Sequence, residues 1–171
     1  MKEKLVRKIG LVAHDAMKKD MIEWVLWNSE ILKGHQFYCT GTTGTLIQQA
    51  LNNKHPEEEW DITILKSGPL GGDQQMGSRI VDGDIDYLFF FTDPMTLQPH
   101  DTDVKALTRL ASVENIVFCA NRSTADHIIS SPLFEDPEYV PAHPDYTSYT
   151  QRFDDKNVVD EAVESVESRK K

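Results

Sequence analysis

Cysteine is scarce in this chain: only Cys39 and Cys119 occur in 171 residues. Two cysteines cannot build the disulfide framework of a small secreted domain, and both fall inside apolar runs, so a reducing, cytoplasmic setting is expected. No uninterrupted apolar stretch approaches the ~18 residues that a membrane span needs, and the charged opening from Met1 to Arg7 does not read as an export signal. No membrane partner is expected. Positive charge is also short, since 18 Lys and Arg face 28 Asp and Glu for a net charge of -10. A nucleic-acid backbone requires a clustered basic surface, so no nucleic acid is expected, and any phosphate ligand has to be gripped by a few local groups.

What is present suits one globular core. The length fits a single domain, and residues 1–153 read as one α/β body followed by a charged extension over 154–171. In that extension Val159, Ala162, Val163 and Val166 recur at helical spacing. Five short apolar runs punctuate the body: Ile9 to Ala13, Phe37 to Thr40, Ile62 to Leu65, Tyr87 to Thr92 and Ile116 to Ala120. They lack polar alternation, which suits strands buried on both faces. Between them lie helical spacings, such as Met17, Met21, Trp24 and Val25, or Val104, Leu107, Leu110 and Ala111. The alternation predicts a doubly wound, mainly parallel five-stranded sheet with helices on both faces, Rossmann-like or flavodoxin-like in topology. The polar block from Asn52 to Glu59 reads as a surface loop.

In such sheets ligands bind beyond the carboxyl ends of the strands, so the residues that follow each strand are the ones to weigh. His14-Asp15 follows the first, Thr40-Gly41-Thr42-Thr43-Gly44 the second and Ser67-Gly68-Pro69-Leu70-Gly71-Gly72-Asp73 the third. Asp93-Pro94 and then Pro99-His100-Asp101-Thr102-Asp103 follow the fourth. The threonine-glycine turn has the hydroxyls, close backbone approach and following helix of a phosphate cradle, although a plain turn with a threonine cap explains it equally well. Ser67, Gly68 and Lys18, the last placed one turn into the first helix, could extend the grip. Asp73 stands where a helix cap would stand, yet its preceding glycines also free the backbone to approach a small ligand. The dipole of the helix that begins near Thr102 should favour a neutral His100, which pairs with a carboxylate base in enolisations of triose phosphates. Asp15, Asp93, Asp101 and Asp103 add carboxylates to the same edge, and like-charge crowding among them should raise at least one pKa.

These segments resemble the methylglyoxal synthase family. The resemblance runs from about Lys8 to Arg152 and is most specific at Gly71-Gly72-Asp73-Gln74-Gln75 and Pro99-His100-Asp101-Thr102-Asp103-Val104-Lys105. It implies conversion of dihydroxyacetone phosphate to methylglyoxal and phosphate. Asp73 would be the base, His100 would handle the carbonyl and enediol oxygens, and Asp103 would support His100 or the proton traffic. His14, Lys18, Thr40, Thr42, Thr43, Ser67 and Gly68 would bind substrate, largely through its phosphate. The resemblance also implies a homohexamer, no metal or organic cofactor, and inhibition by inorganic phosphate. Arg152 matches a family arginine, one residue out of spacing from Pro144-Asp145-Tyr146, and is a candidate for an inter-subunit phosphate contact. The Asn52 to Glu59 loop and the acidic extension depart from the family pattern. A non-catalytic module that senses a phosphate ligand, like the effector domain of carbamoyl-phosphate synthetase, would need the phosphate loops but not the base. An isomerase using the same acid/base pair would keep the phosphate.

Overall fold

The computed structural model describes residues 5–152 and 157–169. Five strands, β1 (Lys8–Ala13), β2 (Gln36–Thr40), β3 (Asp61–Leu65), β4 (Tyr87–Phe91) and β5 (Val117–Cys119), form one sheet in the order β3-β2-β1-β4-β5. Every pairing is parallel, with Ala13 of β1 opposite Phe91 of β4 and Thr40 of β2 opposite Leu65 of β3. This is the Rossmann-like order rather than the flavodoxin-like one, and its direction reverses between β1 and β4. A crevice opens at that point beyond the strand ends.

Nine helices are described: α1 (Lys18–Trp27), α2 (Ser29–Leu32), α3 (Gly41–Lys54), α4 (Gly72–Val81), α5 (Asp101–Val113), α6 (Arg122–Ile129), α7 (Pro132–Glu135), α8 (Thr147–Thr150) and α9 (Asn157–Ser168). The apolar spacings read from the sequence pack them on the two faces of the sheet. Met21, Trp24 and Val25 of α1, Ile47 and Leu51 of α3, and Ala125 and Ile129 of α6 bury against Leu11, Phe89 and Phe91. Met76 and Ile80 of α4 with Val104, Leu107 and Ala111 of α5 bury against Val12, Leu88 and Phe90 on the other face. Trp24 and Phe89 lie with ring centroids 4.8 Å apart. Full burial of such side chains contributes on the order of 1.5–3 kcal/mol each, so successive strand residues anchor opposite layers and hold the strand ends in register.

The structure departs from the sequence pattern in three places, the first being that Asn52 to Lys54 are not loop but the last residues of α3. Burial on both faces holds for β1 and β4 but fails for β3, an edge strand whose Ile64 is 40% exposed. Lys18 does not lie one turn inside a helix; a 3-10 turn at Asp15–Met17 precedes it and Lys18 is the first residue of α1. Of the extension, α9 is described, with its valines exposed, while 154–156 and 170–171 lie outside the described residues. The opening segment also holds more than surface charge. Arg7 is 7% exposed, and its guanidinium donates to the carbonyls of Leu133, Phe134, Asp136 and Tyr139, tying α7 and the chain that follows it to the amino end of β1.

Candidate active site

The crevice is a cavity of about 300 Å³ lined by His14, Lys18, Thr40, Thr42, Thr43, Ser67, Gly68, Asp73 and His100, together with Asp15 at its edge. Val12, Ala13, Pro69, Phe90, Gln98 and Pro99 complete the wall. These residues arrive together because four strands end side by side and each loop departs at the same sheet edge.

Two loops form the anion side. Thr40 takes the N-cap position of α3 but makes no side-chain capping bond, which leaves its hydroxyl for another partner. The first-turn amides of α3 lack helical acceptors by construction, and the helix dipole favours negative charge there. The Gly41 N–H donates to the Lys66 carbonyl at 3.2 Å, drawing the β2 and β3 loops together. A Cβ on Gly41 would lie 2.8 Å from Ser67 Cα and N, so only glycine permits this approach. Gln75 locks the second loop by accepting from the Lys66 N–H at 2.8 Å. The sequence signal for Gln75 was its place in the Gly-Gly-Asp-Gln-Gln segment, although no role was read from it. Lys18 pairs with Asp15 and also reaches the Ala13 carbonyl at 3.4 Å, which sets its ammonium at the crevice edge.

The opposite side holds the acid/base groups. Asp73, second residue of α4, is not a cap: neither carboxylate oxygen has a hydrogen-bond partner among the described residues, although the side chain is only 1% exposed. His100 Nε2 stands 3.5 Å from Asp73 Oδ2. Gly68 faces both, and a Cβ there would lie 3.1 Å from each of those atoms. The gap between carboxylate and imidazole is therefore kept open by the absence of a side chain. Burial raises the Asp73 pKa, His100 acts against that rise, and Asp103 adds to it. The raised carboxylate is thus Asp73, and its main cause is burial rather than the crowding expected among the other carboxylates. Asp15 and Asp93 move the other way, held down chiefly by Lys18 and by the Thr96 hydroxyl respectively.

His14 is buried against Phe90, with ring centroids 5.1 Å apart, and its ring lies 5.9 Å from that of His100 at 84°. Its Nδ1 accepts the Asp93 N–H at 2.9 Å. Nε2 is buried and has no partner among the described residues. Burial is the main cause that lowers the His14 pKa. Other residues fall elsewhere. Asp103 lies in the first turn of α5 and acts on Asp73 through its charge, with no side-chain hydrogen bond to His100 among the described residues. Asp101 pairs with Lys105 at 2.9 Å. Arg152 lies over the Tyr149 ring at 3.4 Å and is not among the residues lining the crevice. Asn121 caps α6 by accepting from the Thr124 N–H, and Tyr146 donates to the Val113 carbonyl, so both are structural. No group of three or more His, Cys, Asp or Glu is placed to hold a metal ion among the described residues, and no described helix is long and apolar enough to cross a membrane.

Residues 15–120 match the family model described as the MGS-like domain, and that defines the class of this fold and site. The chain is 50% identical over 147 residues to the methylglyoxal synthase of Coxiella burnetii, covering 86% of this chain and 97% of that one. It is 51% identical over 146 residues to the methylglyoxal synthase of Oleidesulfovibrio alaskensis, covering 85% and 95%. The crystal structure of methylglyoxal synthase from Elizabethkingia anophelis superposes with a TM-score of 0.73 at 46% identity, covering 85% of this chain and 91% of that one. The chain belongs to the methylglyoxal synthase family and is an enzyme of the lyase class.

Proposed function

We propose that the crevice converts dihydroxyacetone phosphate to methylglyoxal and inorganic phosphate, with Asp73 as the base. The observation that carries this is the buried carboxylate, without a hydrogen-bond partner among the described residues, facing an imidazole 3.5 Å away beside a glycine whose side chain would crowd both. A raised pKa makes the ionised carboxylate a stronger base than an exposed one. Asp73 takes a proton from the hydroxymethyl carbon while His100 donates a hydrogen bond to the neighbouring carbonyl oxygen as charge develops there. The electron pair of that C–H bond becomes the π bond of an enediolate. The enediolate then expels phosphate: the hydroxymethyl oxygen gives its proton to the departing phosphate and forms the aldehyde C=O, the enediolate π pair shifts to make the new carbon–carbon π bond, and the carbon–oxygen bond to phosphate breaks. This requires that bond to stand perpendicular to the enediolate plane. Thr40, Thr42, Thr43, Ser67, Gly68 and Lys18 hold the phosphate in that orientation and stabilise its charge as it leaves, while Gly41 draws their loops together through Lys66. His14 donates from Nε2 to the substrate. The enolate product takes up a proton on carbon in solution and becomes methylglyoxal, and Asp73 returns its proton to solvent.

The same grip accepts free phosphate, so inorganic phosphate competes with substrate. Exposed Leu70, Met95 and Leu97, on the loops beside the crevice, support packing of a neighbouring copy there, within a homohexamer to which Arg152 contributes a phosphate contact. The two buried, unpaired cysteines suit a cytoplasmic setting. Residues 1–153 act as the catalytic domain and 154–171 as an appended extension; the relatives' nearly complete coverage leaves about a seventh of this chain unmatched. A ligand-sensing module would gain nothing from a buried, unpartnered carboxylate, which disfavours that reading. Incubating purified protein with dihydroxyacetone phosphate should give methylglyoxal and phosphate in equal amounts. Glyceraldehyde 3-phosphate, or no product, would refute the proposal.

A further inference from the structure

We propose that Asp93 is a positioning residue for enolisation: the turn closed by its carboxylate holds its own main-chain N–H on His14 Nδ1 and so keeps the His14 proton on Nε2, facing the crevice. This rests on reading the crevice as the site of enolisation. His14 and Asp93 follow the ends of adjacent parallel strands, Ala13 opposite Phe91, and the His14 N–H donates to the Phe91 carbonyl at 3.1 Å. Asp93 therefore arrives beside the imidazole, and its N–H meets Nδ1 at 2.9 Å. An N–H can only donate, so Nδ1 has to present a lone pair, and the neutral ring carries its one proton on Nε2. That nitrogen is buried with no hydrogen-bond partner among the described residues, on a side chain that lines the crevice.

The Asp93 side chain sets this amide in place. Its Oδ1 accepts the Met95 N–H at 2.9 Å, and the Thr96 hydroxyl and main-chain N–H stabilise the charge of the same carboxylate. Such a turn fixes the main chain of the residue that closes it. The carboxylate is thus directed into its own loop, away from the chemistry, while the amide does the positioning. A proton on Nδ1 would face the Asp93 N–H, so charging His14 requires this turn to open. His100 and Lys18 face the ring and oppose a second positive charge, whereas Asp93 and Asp15 favour it, and Asp73 lines the same cavity. Burial is the largest influence against the charged ring, and the turn acts in the same direction by excluding the proton from Nδ1.

The test is nitrogen NMR of histidine-labelled protein across pH 5–8 with steady-state kinetics on the same samples. In the unaltered chain His14 should show an unprotonated Nδ1 and a protonated Nε2 throughout the neutral range. Asp93→Ala should give mixed tautomers and a His14 titration moved toward neutral pH. Its kcat should fall by about tenfold to a hundredfold, in line with loss of a positioned donor, and the acid limb of its rate profile should move up. Asp93→Asn keeps an acceptor for the Met95 N–H and should restore both readouts, and Thr96→Val, which removes the hydroxyl, should lie between. An unchanged His14 tautomer and titration in Asp93→Ala, or equal losses in Asp93→Asn and Asp93→Ala, would overturn the proposal. If the NMR pattern follows expectation but the unaltered protein forms no methylglyoxal, the functional reading fails while the positioning of His14 by Asp93 stands.

Discussion

Replacing Asp73 by Asn should make the protein more stable and nearly inactive, and the pH dependence of that gain tests the physical argument. The carboxylate is 1% exposed, without hydrogen-bond partners among the described residues, and burial raises its pKa above the ordinary 3.8. The native state then binds the Asp73 proton more tightly than the unfolded chain does. That contribution to stability is fully present below the unfolded pKa and is lost as pH rises through the higher folded value. Above it the buried anion costs stability. An unpartnered buried polar group costs about 1–3 kcal/mol, and more when charged. Asparagine keeps the neutral part of this cost and removes the charged part, for a gain of about 1–2 kcal/mol at pH 7.5. For a chain of this size that raises Tm by roughly 2–8 °C. Calorimetry in phosphate-free buffer should show the gap shrinking toward zero as pH falls and the native Asp73 becomes a neutral acid. Turnover of dihydroxyacetone phosphate should drop by about 10²–10⁴, the usual contribution of a positioned base. A variant less stable than the unaltered chain at pH 7.5, or a Tm gap indifferent to pH, would refute the reasoning.

Gly68→Ala should fold yet lose at least about tenfold in kcat/KM, because its methyl would sit 3.1 Å from both Asp73 Oδ2 and His100 Nε2, where the reacting carbon belongs. Steady-state kinetics with a thermal melt would check both halves. Inorganic phosphate at about 100 times its Kd should stabilise the fold by ~2.7 kcal/mol. Gly41→Ala, whose Cβ would press within 2.8 Å of Ser67 Cα and N, should remove most of that protection in a titrated melt. Arg7→Leu should cost about 2–4 kcal/mol by leaving four carbonyls short of a charged donor. Its kcat at 25 °C should stay near normal, since Arg7 lies at the sheet edge opposite the crevice; denaturant melts and kinetics would measure the two effects separately.

The strands were legible because their apolar runs have no alternation and need cover on both faces, and the helices because their spacings repeat. The position of β3 at the edge was not legible: Ile62 to Leu65 is as apolar as the central runs, and its exposure follows from sheet order, a long-range outcome absent from local pattern. Arg7 reads as surface charge for the same reason, since its four acceptors lie more than 120 residues away. At the site, sequence order brought His14, Thr40, Thr42, Thr43, Ser67, Gly68, Asp73 and His100 to one edge, and all of them line the crevice. It could not separate Asp73 as a base from Asp73 as a cap, because the two differ only in what the oxygens meet. Asp93 marks a deeper limit. As a carboxylate at a strand end it invites a chemical role for its side chain, yet the group that touches His14 is its amide. Every residue except proline carries that amide, so no composition or spacing can mark which one meets an imidazole. Only strand register and a closed turn supply that information, and here they determine which nitrogen of His14 carries the proton into the crevice.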